Sequence, residues 1–305
     1  MLRKWIVLAA IAAAAGFAIF FILSRPQTVP ASALGPHTPN LENGRTMFVA
    51  GNCGSCHATS NQDDPTRLGG GLALKSSFGT FYPPNISPDE KDGIGAWSEA
   101  DFVTAMARGT TPDGWHLYPV FPYTSFQRMT FDDVRDLFAY IKTLQPVAGV
   151  VEDNDLPIHF KIRRTIGIWK LLYMDDKPFQ PDSSKSAQWN RGAYLVNGPA
   201  HCAECHSPRN LIGGIIANQR FAGGPDPSGD GWIPNITQKG LADWSEKDIA
   251  TMLESGDLPD GDRVGGEMVK VVRNTSRLSA EDRAAIAVYI KSLPPVEGPE
   301  PPRRD

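Results

Sequence analysis

All four cysteines of the 305-residue chain fall in two pentapeptides, CGSCH at Cys53–His57 and CAECH at Cys202–His206. Two thiols separated by two residues can add to the vinyl groups along one edge of a porphyrin. The histidine that follows then sits beneath the ring, where an imidazole nitrogen can bind iron. The spacing predicts two covalently bound haem c groups: one on Cys53 and Cys56 with His57 as axial ligand, the other on Cys202 and Cys205 with His206. Three other chemistries fit less well. A thioredoxin-like redox pair belongs in a βαβ setting, and neither motif follows a strand-like run. A four-cysteine zinc site needs the pairs to meet, and Cys56 and Cys202 are 146 positions apart, each pair in its own repeat. Exported disulfides would not explain why a histidine follows both pairs.

The sixth ligand decides what such an iron does, since a methionine thioether raises the reduction potential and closes the site while an open position admits substrate. In the second half Met268 lies in VGGEMVKVVRNTS and is the expected axial ligand. The comparable stretch of the first half, GWHLYPVFPYTSFQRMT, carries Phe121, which cannot bind iron. Met129 is favoured there, because a flexible thioether just before a helix can be turned toward the metal. His116 is the next candidate, and an open site the last. Trp97 and Trp244 hold matching positions where an indole N–H could reach a propionate or the ring could simply pack in the core. Gly69, Gly70 and Gly71 would let backbone lie close to the porphyrin. His37 and His159 read as surface residues.

What must position these groups is a unit that occurs twice. Counting from each motif histidine, Asn-Ile follows after 28 and 29 residues (Asn85, Asn235), Trp-Ser after 40 and 38 (Trp97, Trp244), Pro-Asp-Gly after 55 and 53 (Pro112, Pro259), and Tyr-Ile-Lys after 83 in both (Tyr140, Tyr289). Both copies read as mainly helical. Ser98 with Asp101, and Ser245 with Asp248, mark helix starts that Gly109 and Gly256 stop; Thr130 with Asp133, and Ser279 with Asp282, start the closing helices. The segments between are rich in Gly, Pro and Asn, a loop-heavy interior that can wrap a large apolar disc. The boundaries expected are an anchor at 1–24, a linker at 25–40, a first domain at 41–148, an interdomain segment at 149–186, a second domain at 187–297 and a tail at 298–305. Within the interdomain segment Arg163 to Tyr173 is basic and apolar, suited to a helix that clamps the domains or, less favoured, lies on a membrane surface.

Trp5 to Leu23 runs for 19 positions without a charge, which nearly covers a hydrocarbon core of roughly 30 Å. Arg3 and Lys4 precede it and direct the rest of the chain to the periplasm. A cleaved signal peptide is the competing reading, but the run is long and closes on Phe20, Phe21, Ile22 and Leu23, bulky residues that suit lipid better than a peptidase site. The formal net charge of −4 offers no basic face for nucleic acid.

With CGSCH, PNISP, PDGWHLYPVFPYTSF and RMTFDDV in the first copy, and CAECH, PNIT, PDGD and GGEMVKVVRNT in the second, the chain resembles the membrane-anchored dihaem cytochromes c related to the cytochrome subunits of bacterial alcohol, aldehyde and gluconate dehydrogenases. The resemblance implies a mainly α fold with two tandem cytochrome c domains after a single N-terminal transmembrane helix. It implies electron transfer at the bacterial inner membrane, from a periplasmic or membrane-bound dehydrogenase toward quinone or a terminal oxidase, with no catalysis by the chain itself. Two departures from the group stand out: two haem motifs where related subunits often have three, and Phe121 where some relatives place Met. A dihaem enzyme of peroxidase-like or sulfur-oxidising type, with an open first haem, is the alternative. A structural anchor that docks a soluble enzyme is a third.

Overall fold

The computed structural model describes residues 1–229 and 231–301. Its α-helices are α1 (Leu2–Leu23), α2 (Leu41–Ala50), α3 (Cys53–His57), α4 (Glu99–Arg108), α5 (Tyr123–Phe126), α6 (Phe131–Lys142), α7 (Arg164–Tyr173), α8 (Ala187–Asn197), α9 (Glu246–Ser255), α10 (Met268–Thr275) and α11 (Ala280–Lys291). Two small antiparallel hairpins accompany them, β1 (Leu74–Ser76) with β2 (Gly79–Phe81), and β3 (Gly224–Pro225) with β4 (Trp232–Ile233). The fold is mostly helical, as the periodicity implies.

Local chemistry starts and stops the helices where the sequence places them. Ser98 and Ser245 each form a full capping box, with Asp101 and Asp248 returning a bond to the cap amide. Thr130 and Ser279 accept from the amides of Asp133 and Asp282. Gly109 and Gly256 close α4 and α9 in the left-handed conformation, which a side chain would strain.

Packing repeats as well. α2 lies on α6 in the first half and α8 on α11 in the second, each pair meeting at a glycine. A Cβ on Gly44 would overlap the carbonyl of Asp136, and one on Gly192 that of Ala285. Gly192→Ala is therefore expected to wedge α8 from α11 and destabilise the protein by about 3 kcal/mol, an overpacking effect that a shift in the denaturant midpoint measures. Around these crossings lie Met47, Phe48, Val49, Val103, Leu137 and Ile141, and then Leu195, Val196, Ile249, Ile286 and Ile290. The two groups belong to one continuous buried cluster, although the repeat suggests a separate core for each half.

His37, expected on the surface, is mostly buried. Its Nε2 lies 2.7 Å from Asp136 Oδ1, and the same carboxylate accepts from the Asn40 amide and the Asn43 side chain, both at 2.8 Å. Burial opposes the charge on Asp136, but the Asn40 amide, Asn43 and His37 outweigh it and hold the carboxyl below its ordinary value of 3.8. The resulting stabilisation is complete above that value and lost as pH falls beneath it. Denaturant midpoints between about pH 2 and pH 5 should decline on acidification in the wild type and less steeply in Asp136→Asn.

None of α1 is buried, and it is long and apolar enough to cross a membrane. Its end is fastened to the rest of the molecule. Ser24 is fully buried, its carbonyl accepts from His116 Nε2 at 2.9 Å, and Arg164 bonds to Ser24 Oγ and the Phe21 carbonyl. A Cβ on Gly167 would strike Ser24, so α7 and α1 meet backbone to backbone. From there α7 reaches both halves. Lys170 Nζ caps the carbonyls of Arg108 and Gly109 at the end of α4, while Trp169 Nε1 donates to Ile212 O at 2.9 Å and the Tyr173 hydroxyl accepts from Asn210 Nδ2 at 2.7 Å. The basic, apolar segment thus bonds to both halves, while Leu171 and Leu172 on its outer arc stay exposed.

Candidate functional site

Each CxxCH pentapeptide is entered through a left-handed residue, Asn52 (φ 54°) and His201 (φ 39°), and curls into a short helical turn. The turn carries the motif histidine back toward the Gly- and Pro-rich loop. There the two halves do the same thing: His57 Nδ1 lies 2.9 Å from the carbonyl oxygen of Pro84, and His206 Nδ1 lies 2.9 Å from that of Pro234. A carbonyl can only accept, so Nδ1 carries the proton and Nε2 is left with its lone pair free. Desolvation also holds both imidazoles below the ordinary histidine value, favouring the neutral form that ligates metal.

The supports of that carbonyl are duplicated too. Asn85 Nδ2 donates to Val147 O at 2.6 Å and Asn235 Nδ2 to Val296 O at 2.8 Å, pinning each Pro-Asn-Ile loop to the strand of chain that leaves the closing helix. Each asparagine oxygen accepts from the amide two residues on, Ser87 or Thr237, at 2.9 Å. Gly70 and Gly223 donate to the carbonyls of His57 and His206 at 2.8 and 2.9 Å. Both are left-handed, and a side chain on either would strike the neighbouring loop. Gly70, expected to lie against a porphyrin, thus has a demonstrable task in fixing the motif. Sequence inspection missed Pro84 and Pro234 as positioning residues, although the repeated Pro-Asn-Ile was their signal.

No disulfide joins the four cysteines. Burial pushes the Cys53 and Cys202 thiols up to about 12 and that of Cys205 up to about 11, and raises that of Cys56. A redox-active dithiol needs the opposite shift. Among the described residues no three His, Cys, Asp or Glu side chains converge on a metal-sized point. Paired thiols, a neutral imidazole with Nε2 free and a loop-lined neighbourhood therefore match covalent haem, which would be held by sulfur at the ring edge and by nitrogen at the iron.

Comparison with known proteins agrees. Residues 41–145 match the cytochrome c family model. A dihaem cytochrome c-type protein of Cereibacter sphaeroides is 44% identical over 298 residues, covering 97% of this chain and 99% of the relative. The chain belongs to the c-type cytochromes. This cytochrome is also 37% identical over 275 residues to the fructose dehydrogenase cytochrome subunit of Gluconobacter japonicus, and 33% identical over 265 residues to the gluconate 2-dehydrogenase cytochrome c subunit of Pantoea cypripedii. It covers 55% and 59% of the length of those two. Haem c and electron transport follow from membership.

The distal candidates of the cytochrome are placed unequally. Met268 opens α10, half-buried and packed against the core cluster. Met129 is buried at 1% exposure, directly before the cap Thr130, the place Leu278 takes before Ser279. Its Cγ would lie 3.7 Å from a Cβ on Gly198. His116 is committed elsewhere: Nε2 bonds Ser24 at the end of α1, and burial pulls the ring down to about 4. Phe121 packs on Phe126, ring centroids 5.3 Å apart, and Trp97 and Trp244 pack half-buried on the core.

The two attachment motifs of the cytochrome approach each other, which their separation in sequence does not suggest. His201 Nε2 lies 3.3 Å from Gly51 O, and Asn274 Nδ2 reaches Asn52 Oδ1 and, at 3.0 Å, Ser55 Oγ. The 146 positions between Cys56 and Cys202 therefore do not keep the two motifs apart in space. Glu204, inside the second motif, is buried and accepts from Thr124 and Ser125 of the first half at 2.7 and 2.8 Å and from Arg209 at 2.7 Å. Tyr194 of α8 donates to Asp133 of α6. No residue-by-residue signal in the sequence marks His201, Glu204 or Asn274 as seam residues.

Proposed function

We propose that this cytochrome binds two haems covalently, one in each of two tandem cytochrome c domains spanning 41–148 and 187–297, and relays electrons on the periplasmic side of the bacterial inner membrane. The observation that carries the reading is the doubled geometry at His57 and His206, each oriented by a proline carbonyl with Nε2 free. When bound, the haem supplies a one-electron couple. The chain's own residues anchor it (Cys53, Cys56, Cys202, Cys205), orient the proximal imidazoles and shield the metal from water. Met268 is the proposed distal ligand in the second domain and Met129 in the first.

A dehydrogenase is the proposed donor, supported by relatives named as cytochrome subunits of fructose and gluconate dehydrogenases, and quinone or a terminal oxidase the acceptor. α1 is the proposed anchor, its N-terminus held in the cytoplasm by Arg3 and Lys4. Full-length protein from cells that mature c-type cytochromes should carry the mass of two haems and titrate as two one-electron centres. One haem or none overturns the proposal.

A second reading has its own support. Met129 is buried where Leu278 is buried in the other half, and His116 is engaged at α1, which would leave an iron held by His57 open to small-ligand chemistry. Met129→Ala separates the two: a ligating Met129 takes the weak far-red sulfur-to-iron band of the first haem with it, while a packing Met129 leaves the spectrum unchanged and the wild type binds carbon monoxide at one haem.

A further inference from the structure

We propose that the globular part of this protein rests on the bilayer through a second contact, separate from α1: an apolar and basic face made by the Ile158–Lys161 turn, the outer side of α7 and the Leu211–Ile212 loop. The inference rests on α1 being the membrane anchor.

The fastening of α1 fixes where the membrane surface must lie. At 1.5 Å per residue the 22 residues of α1 span about 33 Å, the thickness of a hydrocarbon core, so its end at Leu23 and Ser24 marks the interface. α7 touches that end through Gly167 and Arg164. It turns Lys170 to the first half and Trp169 and Tyr173 to the second. The arc left over, next to the side that meets α1, carries Leu171 and Leu172, both exposed. On one flank the turn that leads into α7 exposes Ile162 and Ile158, the latter at 83%. On the other, the loop bonded to Trp169 exposes Ile212 and Leu211, the latter at 98%. Phe78 joins the flanks, its ring 5.3 Å from Phe160 and 3.4 Å from the Cβ position of Gly213.

A soluble surface rarely gathers six large aliphatic side chains around one helix. Charge selects the occupant. From Pro157 to Met174 there is no carboxylate, while Lys161, Arg163 and Arg164 supply positive charge, the pattern of a segment lying among anionic headgroups. A bilayer containing anionic phospholipid fits this face, and it is continuous with the surface α1 already crosses.

Nitroxide labels on the full-length holoprotein in phosphatidylethanolamine/phosphatidylglycerol nanodiscs test the contact. Labels are introduced singly through Ile158→Cys, Leu172→Cys and Leu211→Cys, with Phe17→Cys reporting on α1 and Asp260→Cys on exposed protein. The three face labels should collide with oxygen more than with a polar nickel chelate, as the Phe17 label does, and the Asp260 label should do the reverse. If Phe17 reads as lipid while all three face labels read as water, the contact is overturned and the anchor stands. If Phe17 itself reads as water, the anchor falls and the contact with it. Face labels shielded from both oxygen and nickel indicate protein on protein, which also overturns the proposal.

Discussion

A chain in which Cys202 and Cys205 are both replaced by alanine is expected to lose one haem of two, its mass falling by a single cofactor and its haem absorbance by about half. The attachment chemistry needs both thiols at one porphyrin edge, and in this half no other cysteine can substitute, because the remaining pair belongs to the other motif. The effect extends beyond optics. A haem held between the second motif and its closing helix would cover apolar side chains there, and its loss would expose them. The double variant should therefore unfold at much lower denaturant than wild type, and the seam at Glu204 and Asn274 should carry that loss into the first half. Mass spectrometry of the intact chain and a denaturation curve read both results. Retention of two haems would refute the assignment of the second motif.

Met268→Ala should leave both haems attached but lower the reduction potential of one by a sizeable part of the roughly 0.8 V over which axial ligands tune haem iron. Met268 begins α10 half-buried and packed against the core cluster. A redox titration would show one wave displaced and one unmoved, with the far-red sulfur band halved or lost. If Met268 is core filler, both waves stay in place and only the denaturant midpoint drops.

Much of this molecule was legible because its sequence states the same instructions twice. Capping residues and apolar periodicity located the helices from Ser98 to Gly109, from Thr130 onward, and their counterparts, since those signals act over four residues and need no tertiary context. The haem attachment proposed for the motif cysteines and histidines is likewise a local pattern. The orienting carbonyls of Pro84 and Pro234 were not, because a backbone oxygen has no letter of its own. His37 looked like surface but reaches Asp136, 99 positions away, a contact no local pattern encodes. The seam between the halves was invisible on the same grounds, since Gly51 and His201 or Ser125 and Glu204 meet only after both halves have folded.

The backbone contact between Ser24 and Gly167 has a dynamic consequence. A chain tethered to its helix by slack linker would swing its redox centres through a hemisphere above the lipid. If α1 spans the bilayer as proposed, this joint would set the height and tilt of the globular part, and the search for a redox partner would reduce to lateral diffusion and spin about the membrane normal. Partners whose own electron-exchange surface stands at the matching altitude would then be favoured, and a few glycines inserted after Ser24 would relax that selection.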